Sequence, residues 1–143
     1  MPHLARALSL ALVSSLLVLG FGLAAPAGAA EAKPEVHPEW GKTSTKAHVL
    51  KRSCRNYGYS YAITPPEGEW GLEIFVVGPG RVHLFSDAFV IGMNPTVNRD
   101  KFRICRASTR PGVFKIRALL SVQTKSGSHY QQGWLPVTKL RLR

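Results

Sequence analysis

Residues Lys101 to Val122 read KFRICRASTRPGVFKIRALLSV. Two stretches of strict alternation flank a turn-forming STRP. In the first, Lys101 and Arg103 alternate with Phe102 and Ile104. In the second, Lys115 and Arg117 alternate with Phe114, Ile116 and Ala118. A period of two belongs to a β-strand, whose successive side chains leave opposite faces of the sheet. The apolar set of each strand needs cover, and the cationic set is left facing outward. A lone pair of strands is barely stable in water, so the stretch requires more strands and a second layer.

The sequence on either side supplies them. NYGYSYAIT (56–64) places Tyr57, Tyr59, Tyr61 and Ile63 on one face and Gly58, Ser60 and Ala62 on the other. WGLEIFVV (70–77) alternates Trp70, Leu72, Ile74 and Val76, and is bounded by the turns TPPEGE and GPGR. AHVLK (47–51) reads as a short strand, VHLFSDAFVIG (82–92) as a bent strand or a pair, and MNPTVNRD (93–100) as a loop. After the turn KSGS, HYQQGW (129–134) is a further strand. VTKLRLR closes the chain with Val137, Leu140 and Leu142 set against Lys139, Arg141 and Arg143. No sustained helical period is present beyond the N-terminal segment. Roughly seven to nine short strands separated by Gly and Pro turns predict an all-β, two-sheet antiparallel sandwich.

The N-terminal segment has a different character. MPHLAR is followed by the uncharged apolar run ALSLALVSSLLVLGFGL and then by AAPAGAAEAKPE. This is the order of a secretory signal peptide over residues 1–30, with cleavage expected between Ala27 and Ala30. A retained membrane anchor is the alternative, since the run is nearly long enough to span; Pro26 and the small residues around it favour cleavage. Cleavage takes Arg6 alone from the 19 basic residues and none of the 8 acidic ones, so the charge falls only from +11 to +10. Residues 31–45, EAKPEVHPEWGKTST, are polar, hold two prolines and lack periodicity. They predict a flexible N-terminal tail, in which Trp40 alone is expected to pack onto the domain of residues 46–143. Cys54 and Cys105 are the two cysteines of the chain. In an exported protein they are expected to form a disulfide. No C-x-x-C or neighbouring His favours a metal or redox pair.

TRPGVFKIRALL is similar to the penultimate strand of secreted bacterial immunoglobulin-like domains, where a Pro-Gly-aromatic turn leads into an alternating strand. TKLRLR resembles the last strand of that family, and CRNYGYSYAI and EWGLEIFVVGPG its second and third, with Trp70 in the place of a core tryptophan. The resemblance covers residues 46–143 and implies an immunoglobulin-like β-sandwich. Cys105 departs from the pattern by preceding the Pro-Gly turn, which implies a bridge near one end of the sandwich.

The candidate site is cationic. In such a sandwich the last two strands are antiparallel neighbours, with Phe114, Ile116, Ala118, Val137, Leu140 and Leu142 inward. Lys115, Arg117, Lys139, Arg141 and Arg143 then face outward together, extended by Lys101 and Arg103, and by Arg106 and Arg110, if their strand lies close. Like charges side by side on a sheet repel, so an anionic partner is one explanation; a charged edge that resists strand-to-strand pairing is the other. Tyr57, Tyr59 and Tyr61 form a stacking platform if outward and core if inward, and the Gly, Ser and Ala opposite them favour inward. Catalysis has little support. His37, His48, His83 and His129 show no metal-ligand spacing, and no G-x-S-x-G is present. His83, Ser86 and Asp87 are neighbours in sequence on alternating faces. Glu67 and Glu69 flank a turn, and Asp87, Asp100, Glu67 and Glu69 do not make a calcium loop. Neither a metal nor a cofactor is expected.

These observations predict a secreted, extracellular, monomeric and non-catalytic binding module. Its partner is expected to be an anionic cell-wall polymer, an acidic glycan or an acidic protein surface, not a specific nucleic acid, with no membrane span once the signal is removed. Two other readings use the same scaffold: a small inhibitor that presents GPGR or MNPTVNRD to an extracellular hydrolase, and a structural module without its own ligand.

Overall fold

The computed structural model describes residues 34–47, 49–124, 127 and 129–143; the signal-peptide reading of residues 1–30 and most of the KSGS turn lie outside them. Among the described residues the chain forms nine strands: β1 (Glu35–Val36), β2 (Gly41–Ser44), β3 (Arg55–Ile63), β4 (Glu69–Val77), β5 (His83–Val90), β6 (Val97–Ile104), β7 (Gly112–Gln123), β8 (Tyr130–Trp134) and β9 (Thr138–Leu142). One sheet runs β1-β8-β7-β4-β5, with β9 also on β7, and the other runs β2-β3-β6. All pairings are antiparallel except β1 with β8, which is parallel. Among the described residues no helix is long and apolar enough to cross a membrane.

Alternation puts the apolar sets between the sheets. β3 contributes Tyr57, Tyr59, Tyr61 and Ile63, and β6 contributes Phe102 and Ile104. They meet Leu72, Ile74 and Val76 of β4, Phe114 to Val122 at every second position of β7, and Leu140 and Leu142 of β9 in one buried cluster. Trp70 belongs to the same core. Tyr61 packs on Phe89 with ring centroids 4.8 Å apart, and Phe85 on Phe102 at 6.3 Å, so β5 closes the side of the sandwich against β3 and β6. A second tie joins β2 to β9. The Thr138 hydroxyl donates to the Thr43 carbonyl at 2.7 Å and so accepts from the Thr43 hydroxyl, also at 2.7 Å.

The disulfide is formed, between Cys54 and Cys105. The two residues extend the β3–β6 register by one step beyond the pair Arg55↔Ile104. The bridge therefore staples neighbouring strands of one sheet at one end of the sandwich and does not cross the core.

Several sequence expectations change in the structure. The tail predicted for 31–45 is built into both sheets from residue 35 onward: β1 pairs with β8, and β2 pairs with β3. Trp40 is buried, as expected, and stacks on His37 with centroids 4.0 Å apart. The room for this pair is made by Gly133 of β8, where a Cβ would collide with both His37 and Trp40. No alternation marks the segment because it crosses from one sheet to the other through a short 3-10 turn at Pro38–Trp40. The strand predicted at 47–51 is absent among its described residues. Leu50 is instead buried in a connection held by its own N–H on the Arg143 carbonyl at 2.9 Å. Val97–Asp100, read as loop, begin β6, and residues 83–90 are one strand.

The most consequential difference is a bulge. Trp134 pairs with Leu119 and Thr138 with Ile116, so four steps on one strand oppose three on the other. Leu135, Pro136 and Val137 carry the extra residue, at a proline that has no N–H to offer the ladder. The bulge reverses the face parity. Trp134 points outward before it, whereas Lys139 and Arg141 point outward after it. Val137, expected inward, is 42% exposed, and Leu135 fills the core in its place at 0%.

Of the strands at the sheet edges among the described residues, β5 and β6 are the longest. Their backbone donors are covered from within: the N–H groups of Ala88, Arg99 and Lys101 bond the side-chain oxygens of Asp87, Asn98 and Asp100 at 2.9, 2.8 and 2.7 Å. A capped edge offers an incoming strand little to bond.

Candidate functional site

β7 and β9 bring five of the expected cations to one outer face. Lys115 lies directly opposite Lys139, and Arg141 lies opposite Val113. Directly opposed side chains start about 5 Å apart at Cβ, a distance at which like charges destabilise the pair. Lys115, Lys139, Arg141 and Arg143 are exposed. None of them, nor Arg117, forms an ion pair with a carboxylate among the described residues. The exposed Glu69 and Glu73 share this outer face on β4, but they pair with Gln123 and Leu119 towards the opposite end of β7. The face is thus polarised, positive at the β9 end and acidic at the other.

Arg117 differs from its neighbours. It is half-buried, and its guanidinium lies over the Trp134 ring at 4.0 Å. Trp134 in turn touches Phe75 with centroids 6.0 Å apart. Its register opposite Leu119 turns Trp134 outward, and stacking on its ring fixes the orientation of a guanidinium that would otherwise be mobile. A fixed, planar fork beside mobile lysines is an arrangement suited to carboxylate, sulfate or phosphate oxygens.

Lys101 and Arg103 are elsewhere. They stand on β6, opposite Gly58 and Asn56 of β3, on the outer face of the three-stranded sheet. The expected extension of one basic stripe is corrected by the topology: β6 pairs with β3 in the other sheet from β7, so the sandwich core separates the two cation sets. Arg106 and Arg110 are exposed in the segment that crosses between the sheets. Arg99, opposite Ser60, completes a row of three with Lys101 and Arg103. Its membership was hidden because Val97–Asp100 read as a loop, although the alternation Arg99, Lys101, Arg103 was present in the sequence.

The tyrosines are core: Tyr57, Tyr59 and Tyr61 are 6%, 3% and 1% exposed. Tyr57 accepts from the Lys51 N–H at 3.0 Å, and Tyr61 donates to the Pro95 carbonyl at 3.1 Å. The Tyr59 hydroxyl is buried with no partner among the described residues. Burial first, then the negative charges of Asp100 and Asp87, hold its pKa well above the ordinary value of 10.0.

Other sequence candidates do not converge. His83 and Ser86 are exposed, Asp87 is half-buried with one oxygen on the Ala88 N–H, and no hydrogen bond joins the three. Glu67 and Glu69 are exposed. Among the described residues no group of three His, Cys, Asp or Glu side chains comes together as metal ligands would. GPGR forms a 3-10 turn at Pro79–Arg81.

No family model matches the chain. No curated protein matches it either.

Proposed function

We propose that the protein is a secreted, immunoglobulin-like binding module that engages an anionic polymer through the outer face of β7 and β9. The observation that carries this reading is the Lys115–Lys139 opposition, flanked by Arg141 and by Arg117 on Trp134, with no carboxylate to offset it. Two ammonium groups facing each other across a ladder cost the fold stability. Bound anionic oxygens convert that repulsion into charge-assisted hydrogen bonds. The signal-like N-terminus, the disulfide and the charge of +11 for the whole chain fit a protein that works outside the cell. The split of strands between the sheets, with β3 and β6 on one and β4, β5 and β7 on the other, parallels immunoglobulin connectivity.

The test is retention on heparin and polyphosphate matrices across a salt gradient. Lys115→Gln with Lys139→Gln is compared with Arg81→Gln and Arg106→Gln, which removes the same charge from exposed turns. The face variant is expected to elute at distinctly lower salt than the turn variant. Equal elution of the two would show that net charge alone governs retention and would refute the reading.

A further inference from the structure

The three-stranded sheet carries a trough on its outer face. The outward side chains of its middle strand, β3, are Asn56, Gly58, Ser60 and Ala62, all small. On one side stand Arg103, Lys101 and Arg99 of β6, each opposite one of the first three. On the other side β2 ends at Ser44, and the connection that follows sets Lys46 beside Gly58. The cleft between these walls has a volume of about 650 Å³; Asp100 also borders it, with one carboxylate oxygen accepting from the Lys101 N–H at 2.7 Å. It continues past Lys46 and Gly58 into a second of about 590 Å³, bordered by Lys51 and Arg55.

The walls are held in place without a ligand. The Thr45 hydroxyl donates to the Gly58 carbonyl at 2.7 Å and accepts from the Ala47 N–H at 3.1 Å. The Lys51 N–H is fixed on Tyr57, and the Ser44 and Ser60 hydroxyls are bonded to each other at 2.8 Å. At the far end the Cys54–Cys105 bridge locks β3 to β6.

Gly58 supplies an independent observation. A glycine inside a strand costs stability, roughly 0.5–1 kcal/mol against alanine. The fold does not require it here: its φ is not in the left-handed region, and the nearest atom to an added Cβ would be the Asp100 carbonyl oxygen at 4.0 Å. A side chain would fit, and would fill the floor of the trough. A strand glycine often marks a bulge, a bend or a place where a ligand or another backbone comes close, and the β3–β6 register runs through Gly58 without a shift.

The geometry points to the trough as a binding site for a linear acidic glycan. Cations two residues apart on β6 repeat every ~7 Å, which suits acid groups strung along an extended chain. The Ser44, Ser60 and Asn56 side chains offer hydrogen bonds to sugar hydroxyls. No aromatic ring lines the outer face of β3, because its three tyrosines point into the core. Single-stranded nucleic acid, held elsewhere by base stacking on aromatic rings, is therefore disfavoured. This site stands on residues separate from those of β7 and β9 and does not depend on them.

The experiment is a titration of the oxidised protein with a heparin-derived hexasaccharide, and with a thymidine hexanucleotide as the comparison anion. Binding is read by calorimetry and by the amide shifts of Gly58 and Ser60. Gly58→Val fills the floor without changing charge, and Arg99→Gln with Lys101→Gln removes one wall. Each is expected to weaken hexasaccharide binding by about tenfold or more, through a filled floor in the first and the loss of one or two charge-assisted bonds in the second, with no loss of thermal stability. Lys115→Gln with Lys139→Gln is expected to leave the Gly58 and Ser60 shifts intact. Native-like binding by Gly58→Val, or no binding by the native protein, would overturn the trough as a site. Tighter binding of the thymidine oligomer would overturn its assignment to a glycan. Loss in the β7–β9 variant alone would refute the trough and leave the other face standing; loss in the trough variants alone would support the trough, and the β7–β9 face is judged separately by its retention test.

Discussion

Replacing Tyr59 by Phe should stabilise the protein, whereas the same change at Tyr61 should destabilise it. The two residues share a strand, a face and a depth, at 3% and 1% exposure. They differ in one atom's surroundings: the Tyr61 hydroxyl donates to the Pro95 carbonyl, and the Tyr59 hydroxyl is buried without a partner. A buried unsatisfied polar group costs roughly 1–3 kcal/mol, and a satisfied hydrogen bond contributes about 1 kcal/mol. Tyr59→Phe removes the first cost and leaves a ring of nearly the same shape, so a gain of about 1 kcal/mol is expected. Tyr61→Phe should lose about 1 kcal/mol, which separates the two variants by roughly 2 kcal/mol, or several degrees in Tm for a domain of this size. Urea unfolding followed by tryptophan fluorescence measures the difference. The pH dependence provides a second reading of the same atom. The folded-state pKa of Tyr59 is raised, so its contribution is fully present below the unfolded value near 10 and is lost as pH rises beyond it. Tyr61 is shifted in the same direction, burial again first. Stability should therefore fall above about pH 10, less steeply in Tyr59→Phe. Equal destabilisation by the two substitutions would refute the reasoning, because it would mean that the Tyr59 hydroxyl has a partner in solution.

Three further outcomes are expected. Gly133→Ala should release the N-terminal segment, since its Cβ meets His37 and Trp40; a loss of about 1–3 kcal/mol with a red-shifted tryptophan spectrum is expected, and an unchanged spectrum would contradict it. Opening the Cys54–Cys105 loop of 51 positions by Cys54→Ala with Cys105→Ala should lower stability by up to about 4 kcal/mol, measured by denaturant melts; a variant as stable as the reduced-and-reoxidised native protein would show that the bridge constrains little. Asn98→Ala with Asp100→Ala uncovers the donors of Arg99 and Lys101 on the open edge of β6, and sedimentation should then detect more self-association than in the native protein. A sedimentation profile identical to the native one would argue that the edge is protected by charge alone.

What the sequence by itself determined was local. A period of two assigns faces within one strand, because each peptide unit turns its side chain over whatever lies beside it. That was enough to place Tyr57, Tyr59 and Tyr61 in the core, to turn Lys115 and Arg117 outward, and to establish an all-β sandwich; the cysteine count was enough for the bridge. It was not enough to place Lys101 and Arg103 relative to Lys115. Strands of similar pattern are nearly interchangeable as neighbours until the whole core is packed, and closing a longer loop to reach a different partner costs little more than closing a short one. Which strands share a sheet is therefore settled only when all of them bury at once. The bulge at Leu135–Val137 shows the same limit on a smaller scale. One extra residue reversed the parity of everything after it, and its position is dictated by Leu135 filling the core and Pro136 having no N–H for β7. The opposition of Lys115 to Lys139, the seating of Trp40 against Gly133 and the trough along Gly58 all follow from pairings between residues far apart in the chain, and tertiary packing alone decided them.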